Sequence, residues 1–493
     1  MFTKILVPNR GEIAARIIRT CRDLEIQTVA LYEPADRGSL HVRLADEAVP
    51  VGPGAFSQPE TLVQVARAAG AQAVHPGYGF LAEQADFITA CQAAGLTFIG
   101  PPAAVVRMLR DKITALKAAR AYGFPTTTHS ARAFDGDERA ALRAEADRLG
   151  YPVVVKSLIG GRGRGERLVR SANRLDEAVQ RAETEALTVY GDRRLYVEKA
   201  ILPAHQIGVQ VLGDRHGHLI HLGEREGSLI YGNQKIVEEA PAPCLTPEGR
   251  DRLCQTAVAL ARLFDYQNVG TVEFLVDEAG AFYFTEIKAR IQIEHPATEM
   301  VARMDLVREQ IRLAAGEALG LTQADVHLHG HAILCRINAE DPAQRFLPTP
   351  GRLRRVRLPG GPEVRVDTFA YSGCEVPAEY DPIVAKVAVW HSTRAACVLR
   401  LRRALEDFTL IGTPTNLPLH QRLVADPEFE QGTYTTELLG RSRLAEAPPP
   451  ADHLRDLAVA AAVAFVRRYQ RLSPETPERL RSGWHQASRT LPR

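Results

Sequence analysis

A glycine-rich stretch of the chain combines residue types that could hold a phosphorylated ligand. In VVVKSLIGGRGRGE, Lys156 ends an apolar run and a glycine-rich loop follows it. Glycines let backbone N–H groups curl around phosphate oxygens, and the lysine adds a cation. The stretch is not a P-loop, because the chain contains no Gly-Lys dipeptide. Two alternatives stay open, a hairpin with no ligand and an RNA-binding patch, although the stretch lacks interleaved aromatic residues.

A second stretch, GTVEFLVDEAGAFYFTEIKARIQIEHP, carries regularly spaced charges. Alternate residues of a strand share one face. A strand running through this stretch therefore places five polar side chains together: Glu286, Lys288, Arg290, Gln292 and Glu294. Glu273, on the preceding strand, would pair with Glu286, and two carboxylates on paired strands suit a magnesium ion against nucleotide phosphates. The alternative is an ordinary solvated sheet face with alternating charges.

Two shorter motifs add cations to this set. Lys235 precedes an extended, proline-rich segment in NQKIVEEAPAP, and Arg336 stands at a strand end in LCRINAEDP. Taken singly, neither motif specifies a reaction.

The first hundred residues alternate between apolar strands and helices. Strands are predicted over 3–7, 27–32, 71–76 and 96–101, with an amphipathic helix from Glu12 to about Leu24. Such alternation predicts a parallel α/β sheet.

The rest of the chain has a different order of predicted helices and strands. A helix is predicted to begin near Asp111, and from 151 onward strands follow one another at short intervals, which predicts an antiparallel α+β region. A third strand-rich unit runs from about His327 to Leu438. The prolines at 448–450 predict a linker, and 454–472 fits a helix.

Composition excludes several classes of protein. The chain has 493 residues with 45% hydrophobic and 24% charged residues and a net charge of +2, which gives no indication of a nucleic-acid or membrane partner. The N-terminus does not read as a signal peptide, and the apolar run Leu457 to Val466 is about half of a membrane span. Seven scattered cysteines without a CxxC pair argue against disulfides and against a structural zinc, so a reducing cytoplasm is expected.

From Phe2 to Leu439 the chain resembles biotin carboxylase, the first-step enzyme of acyl-CoA and pyruvate carboxylases. The resemblance is carried by an ordered series of segments: NRGEIA (9–14), HPGYGFL (75–81), FIGP (98–101), DK (111–112), YPVVVK (151–156), EK (198–199), QKIVEEAPAP (234–243), GTVEF (270–274), RIQIEHP (290–296), TEM (298–300), CRINAEDP (335–342) and YDPIVAK (380–386). So many ordered matches are far more specific than any one motif.

This resemblance implies a fold of three domains followed by a tail. An N-terminal parallel α/β domain would cover 1–110, and an ATP-grasp domain would cover 111–320 with a mobile lid at about 131–203. A C-terminal biotin carboxylase domain would cover 327–440, and a proline-rich linker with a helical tail would cover 445–493.

The resemblance also implies the reaction: ATP and bicarbonate give carboxyphosphate, whose CO₂ passes to N1′ of biotin. Glu294 would be the base that deprotonates bicarbonate, Lys235, Arg290 and the Ile293 backbone would bind that anion, and Arg336 would stabilise the biotin enolate. Glu273 and Glu286 would hold Mg²⁺ or Mn²⁺. The remaining ATP contacts implied are Lys112, Lys156, Gly160, Gly161, Gly163, Glu198, Lys199, Ile201, Gln206, Asn233 and Lys288.

The family's usual assembly implies further partners. A biotinyl lysine follows a methionine in the family's carrier domain, whereas the four methionines here precede Phe, Leu, Val and Asp. We therefore expect the biotin carboxyl carrier protein and the carboxyltransferase to be separate chains, with a homodimer of this chain.

Departures from the family pattern cluster on the nucleotide side. Ile159 and Arg162 replace loop glycines, Gln206 replaces a histidine near the ribose, and Lys288 replaces an asparagine between Glu286 and Arg290. Asparagine can ligate a metal ion, whereas an ammonium repels one. Three hypotheses stay open: an active enzyme in which Lys288 replaces one metal ion, an impaired paralogue with a binding or regulatory role, and an ATP-grasp ligase that activates another carboxylate.

Overall fold

The structure is a computed structural model that describes residues 1–160, 167–231, 234–442, 444–446 and 452–471. Within the last helix, side chains are described over 455–468. The chain divides into two compact units, Met1–Ala445 and Glu446–Arg493, and each is described by itself.

The N-terminal region is a parallel sheet with the strand order β3-β2-β1-β4-β5, as the sequence predicts. Its elements are β1 (Lys4–Val7), α1 (Gly11–Asp23), β2 (Gln27–Tyr32), α2 (Leu40–Leu44), β3 (Glu47–Pro50), α3 (Pro59–Ala68), β4 (Ala73–Val74), α4 (Ala85–Ala93), β5 (Thr97–Phe98) and α5 (Ala103–Arg110). The sequence pattern missed β3, because this edge strand buries none of its four residues.

A small layered region follows. Its elements are α6 (Lys112–Ala121), α7 (Arg139–Leu149), β6 (Val153–Ser157), β7 (Arg167–Val169), α8 (Leu175–Tyr190) and β8 (Leu195–Lys199). Asp111 caps α6 by accepting a hydrogen bond from the Thr114 backbone N–H at 3.0 Å, so the helix begins where the sequence predicts. The antiparallel sheet β7-β6-β8 packs with α7 and α8 around a core of its own, within the predicted lid.

The central sheet has eight antiparallel strands in the order β13-β12-β9-β10-β11-β14-β21-β19. Its first part comprises β9 (Ala204–Gly213), β10 (Leu219–Tyr231), β11 (Gln234–Ala240), α9 (Pro247–Leu263), β12 (Asn268–Asp277), β13 (Phe282–Lys288), α10 (His295–Ala302) and α11 (Leu306–Ala314). The predicted antiparallel character is confirmed.

The C-terminal region extends the same sheet. Its elements are β14 (His331–Asn338), β15 (Glu340–Asp341), β16 (Leu347–Pro348), β17 (Gly351–Arg352), β18 (Arg355–Arg357), β19 (Val364–Thr368), β20 (Glu375–Val376), β21 (Ile383–His391), α12 (Arg394–Asp407), β22 (Thr409–Ile411), α13 (Leu417–Leu423), α14 (Pro427–Gln431) and α15 (Leu438–Arg441). Val237 of β11 pairs with Cys335 of β14, which joins this region to the central sheet. No pattern in the sequence indicated that junction.

The second unit contains one helix, α16 (Asp452–Arg471), where the sequence predicts a helix after the prolines. None of the helices in the described parts of the chain is long and apolar enough to cross a membrane.

One predicted strand is shorter than expected. The sequence predicted a continuous strand to Glu294, but β13 ends at Lys288 and the chain turns before α10. Pro296 stands in the first turn of α10, where a helix tolerates a residue without a backbone N–H. The same residue could not donate a hydrogen bond within a sheet. The side chains beyond Lys288 are therefore positioned by this turn and not by strand alternation.

Candidate active site

A cavity of 730 Å³ opens over one face of the central sheet. Nine of the residues to which the resemblance assigns a role line it: Gln206, Lys235, Glu273, Glu286, Lys288, Arg290, Ile293, Glu294 and Arg336. They come from β9, β11, β12, β13, β14 and the turn before α10. Ile293 lines this cavity together with Glu294, although strand alternation would place these neighbours on opposite faces, because a turn replaces the strand over 289–294.

The centre of the cavity is a buried carboxylate held between two cations. Lys235 Nζ lies 3.2 Å from Glu294 Oε1, and Arg336 Nη2 lies 3.0 Å from Glu294 Oε2. Burial raises the pKa of Glu294, but Arg336 and Lys235 outweigh it and hold this pKa far below its usual range. Glu294 also stands at the N-terminus of α10, where the helix dipole favours a negative charge. The residue is thus ionised throughout the physiological pH range.

Arg290 brings a third cation to the same wall. Its Nε lies 3.0 Å from Glu83 Oε1, and Nη1 donates to the Ile291 carbonyl at 3.0 Å. Because Glu83 belongs to the N-terminal region, this ion pair fixes the guanidinium across two parts of the chain.

Two carboxylates stand side by side on paired strands, as the sequence predicts. Glu273 of β12 and Glu286 of β13 are register partners. Glu273 is 1% exposed and accepts hydrogen bonds from Lys235 at 3.0 Å and from Gln292 Nε2 at 2.7 Å. Gln206 Nε2 lies 3.4 Å from the other Glu273 oxygen. This donor set fits a divalent cation that would be bound through carboxylate oxygens.

Lys288 lies on the same face and pairs with Glu286 at 2.7 Å. Burial raises the pKa of Glu286, but Lys288 and Lys112 lower it more, to about 2. A carboxylate that already carries an ammonium partner is a weaker ligand for a second metal ion. Glu273 also has an ammonium partner, Lys235 at 3.0 Å, besides two neutral amides, so a metal ion would compete with a lysine at both carboxylates.

The predicted adenine contacts lie in the lid and do not line the large cavity. Lys156 pairs with Glu198 at 3.2 Å, and Lys199 Nζ donates to the Gly150 carbonyl at 2.7 Å. Ile201 lies two residues beyond Lys199, the last residue of β8.

The remaining nucleotide contacts are distributed more widely. Lys112 is buried at the start of α6, and its positive charge lowers the pKa of Glu286. Gly160 lines a separate space of 40 Å³ together with Glu286 and Lys288. Its φ of +142°, and a distance of 2.5 Å from an added Cβ to Tyr190, require glycine at this position. Gly161, Gly163 and Asn233 lie outside the described residues.

Two charged residues that the sequence analysis did not single out support the site. Arg225 is 2% exposed and donates to Gln292 Oε1 at 2.7 Å, Gln210 Oε1 at 2.8 Å and the Thr271 hydroxyl at 3.1 Å, which orients the amide that holds Glu273. The signal available in the sequence was an arginine inside the otherwise buried strand LIHLGEREGSLI.

Glu238 is the second of these residues. It is fully buried on β11 and accepts a hydrogen bond from Arg336 Nη2, the nitrogen that also reaches Glu294. Burial raises the pKa of Glu238 to about 7, and the Arg336 charge opposes that rise. The doubled glutamate in KIVEEAP was the available signal, since a strand that buries both faces seldom carries two carboxylates.

Comparisons with known proteins agree with this geometry. Consecutive parts of the chain match the family models "Biotin carboxylase, N-terminal domain" (residues 1–106), "Carbamoyl-phosphate synthase L chain, ATP binding domain" (111–322) and "Biotin carboxylase C-terminal domain" (334–441). The chain is 44% identical over 442 residues to a biotin carboxylase of Nostoc sp., covering 89% of this chain and 98% of that protein. It is 42% identical over 444 residues to biotin carboxylase 1 of Bacillus subtilis, covering 89% of this chain and 98% of that protein.

A solved structure of a biotin carboxylase domain is similar to this chain in both sequence and fold. The biotin carboxylase domain dimer of Hydrogenobacter thermophilus 2-oxoglutarate carboxylase, in complex with MgADP, ADP and bicarbonate, superposes with a TM-score of 0.88 at 41% identity. The match covers 91% of this chain and 100% of that one.

Proposed function

The chain belongs to the biotin carboxylase family, and from that premise we propose that it uses ATP and bicarbonate to carboxylate biotin on a carrier protein. The observation that carries this proposal is Glu294, an ionised carboxylate held between Lys235 and Arg336 and close to two further carboxylates. A site for ATP-driven bicarbonate chemistry needs these three elements: a base, cations for anions, and ligands for a metal–nucleotide complex.

In the first step a bicarbonate oxygen attacks the γ-phosphorus of ATP. The new O–P bond forms while the bond to ADP breaks, and the bicarbonate proton passes to Glu294. Lys235 and Arg290 bind the anion and offset its repulsion from the phosphates. The low pKa keeps Glu294 ionised, as a proton acceptor must be, although it also lowers the basicity of the carboxylate.

In the second step carboxyphosphate breaks into CO₂ and phosphate, and this phosphate takes the N1′ proton of biotin. The resulting enolate carries its negative charge on the ureido oxygen until N1′ bonds to the CO₂ carbon, which leaves the charge on the new carboxylate. Arg336, a guanidinium on the rigid strand β14, is the group that we assign to this enolate.

We assign the binding of ATP to residues of the lid and of α6, and the binding of its metal ion to the paired carboxylates. Lys112 and Lys156 meet the phosphates, and Glu198 and Lys199 meet the adenine when the lid closes. Glu273 and Glu286 would hold Mg²⁺ or Mn²⁺, which when bound neutralises phosphate charge as a Lewis acid.

The position of Lys288 bears on how many metal ions the reaction uses. Its ammonium lies 2.7 Å from Glu286, on the carboxylate where a second metal ion would bind. We propose that Lys288 supplies a fixed positive charge to the phosphates and that the enzyme works with one divalent ion. The same contact also favours a second candidate, an impaired paralogue in which Lys288 blocks metal binding.

The decisive experiment is an assay of ATP hydrolysis with free biotin across Mg²⁺ and Mn²⁺ concentrations. We expect hydrolysis that depends on bicarbonate and a metal dependence that saturates once ATP is present as its complex with one metal ion. Hydrolysis that ignores bicarbonate would contradict the carboxylase assignment, and absence of turnover with intact ATP binding would favour the paralogue.

The assembly follows from the same proposal. We propose separate carrier and carboxyltransferase chains, a homodimer of this chain, a cytoplasmic location and domain boundaries at 1–110, 111–320 and 327–440. The Hydrogenobacter relative was solved as a dimer, which supports the homodimer. An avidin blot that stains the purified chain would contradict the separate carrier.

A further inference from the structure

A second group of potential ligands lies behind the active site. His205 of β9, Glu226 of β10 and Cys244, in the segment between β11 and α9, each offer one ligand atom, and these atoms lie within 4.8 Å of one another. We name these three residues the His–Glu–Cys cluster. Side chains alternate along a strand, so His205 faces away from the cavity that its neighbour Gln206 lines. The cluster is thus separate from the site proposed for ATP and bicarbonate.

The carboxylate of this cluster differs from its neighbours. Four buried glutamates occupy β10 and β11, and three of them pair with a guanidinium: Glu224 with Arg250, Glu238 with Arg336, and Glu239 with Arg394. Glu226, at 1% exposure, has no lysine or arginine within ion-pair distance among the described residues. Its ion-pair partner among the described residues is His205, which is charged only when protonated, so a bound cation would stabilise this buried carboxylate.

The contacts of Glu226 leave one oxygen available. Its Oε1 lies 2.6 Å from His205 Nδ1 and accepts from the Ser228 hydroxyl at 2.8 Å. Its Oε2 is buried and accepts no hydrogen bond from an N–H or O–H group in the part of the chain that is described. The Cys244 thiol hydrogen-bonds to the same carboxylate, and burial together with the Glu226 charge raises the pKa of this thiol.

We propose that the His–Glu–Cys cluster binds one Zn²⁺ ion, through His205, Glu226 and Cys244, with a fourth position open to water. An imidazole, a carboxylate and a thiolate are the ligands that zinc combines in proteins. Tetrahedral zinc needs ligand atoms roughly 3.4–3.7 Å apart, so small side-chain rotations within the 4.8 Å cluster suffice. The ion would supply the missing positive charge and release the thiol proton.

This proposal goes against the sequence-based expectation that the chain holds no structural zinc. That expectation rested on the absence of CxxC pairs. Here the three ligands are 21 and 18 residues apart in the chain and meet only because β9 and β10 are paired and the chain returns after β11. The ion would tie together these two strands and the segment that carries Cys244.

The experiment measures zinc binding to the full chain without nucleotide. Purified protein is stripped with a chelator, given Zn²⁺ and separated from free ion, and its metal content is determined by mass spectrometry. We expect one zinc per chain, and binding at least about tenfold weaker in Cys244→Ser and in His205→Gln. Cobalt in place of zinc should give a thiolate-to-metal charge-transfer band that is absent in Cys244→Ser.

A matched control is Cys254→Ser. Cys254 is also a thiol beside a buried glutamate, with its Sγ 3.9 Å from Glu224 Oε2, but that glutamate is paired with Arg250. Zinc binding should be unchanged in this variant. Glu286→Gln should also retain the zinc, which separates the cluster from the metal ligands of the proposed active site.

Two outcomes count against the proposal. Failure of the full chain to bind zinc, or zinc binding that survives Cys244→Ser, would overturn it, whatever the ATPase activity.

Discussion

The two sides of the active-site cavity, the anion side around Glu294 and the carboxylate side around Glu286, lie on one sheet but balance their charges differently. On the anion side Lys235 and Arg336 share Glu294, and each also pairs with a second buried carboxylate, Glu273 for Lys235 and Glu238 for Arg336. On the carboxylate side Lys288 already occupies Glu286. The difference teaches that an anion bound near Glu294 would replace one of several shared contacts, whereas a metal ion at Glu286 would compete with the Lys288 ammonium.

The largest effect is expected on the anion side, from Glu294→Gln. Removing the base leaves Lys235 and Arg336 without their shared carboxylate and removes the proton acceptor. Bicarbonate-dependent ATP cleavage should fall by about 10²–10⁴. Glu317→Gln, a surface glutamate paired with Arg312, is the control and should retain activity. Unchanged cleavage in Glu294→Gln would remove this residue from the role of base.

Arg336→Ala should separate the two half-steps. The enolate forms only in the second step, so carboxyl transfer to biotin should fall by about 10²–10³, the cost of losing one charge-stabilising donor. ATP cleavage should fall less, through the lost contact between Arg336 and Glu294. The measurement compares phosphate release with carboxybiotin formation in the same reaction. Equal losses in both would place Arg336 in the first step instead.

On the carboxylate side, Lys288 variants decide between the two candidate functions. If the ammonium replaces a metal ion, Lys288→Ala should weaken ATP binding about tenfold, the worth of one charged contact, and Lys288→Asn should require more Mg²⁺. If Lys288 blocks an impaired site, Lys288→Asn should instead raise turnover. The three proteins are compared in ATP affinity and turnover against Mg²⁺ concentration. Three identical profiles would contradict both versions.

The smallest effect is expected from Glu238→Gln, which tests how the anion side depends on pH. The pKa of Glu238 is raised to about 7 by burial, so the folded state binds this proton more tightly than the unfolded state does. Its contribution to stability is therefore lost as pH rises from about 4.5 towards 7. Because glutamine cannot ionise, the difference in Tm between the variant and the wild type should grow in favour of the variant between pH 5 and pH 7.5.

The rate of carboxyl transfer gives a second test of Glu238→Gln. The pH profile of carboxyl transfer should lose a transition near neutrality in Glu238→Gln and change only a few-fold at pH 6, since glutamine resembles the protonated acid. A Tm difference that is constant with pH would show that Glu238 does not titrate in this range.

The sequence predicted some elements of the site because they depend on neighbours along the chain. The pairing of Glu273 with Glu286 was predicted, since a short turn joins two strands and fixes their register. The start of α6 at Asp111 and the parallel N-terminal sheet were predicted for the same reason. Shared family motifs supplied the identities of Lys235, Arg290 and Arg336, which no local pattern specified.

Tertiary structure decided the contacts between residues that are distant in the chain. Lys235 on β11 and Arg336 on β14 reach one carboxylate because β11 and β14 are adjacent strands, and the approach of Cys244 to Glu226 depends on how the chain returns after β11. The turn after Lys288, which the strand pattern missed, brings Glu294 between them. Periodicity and turn chemistry act over a few residues, so the sequence determined the strands and their charged faces. Which strands become neighbours depends on burial summed over the whole core, and only the folded chain contains that information.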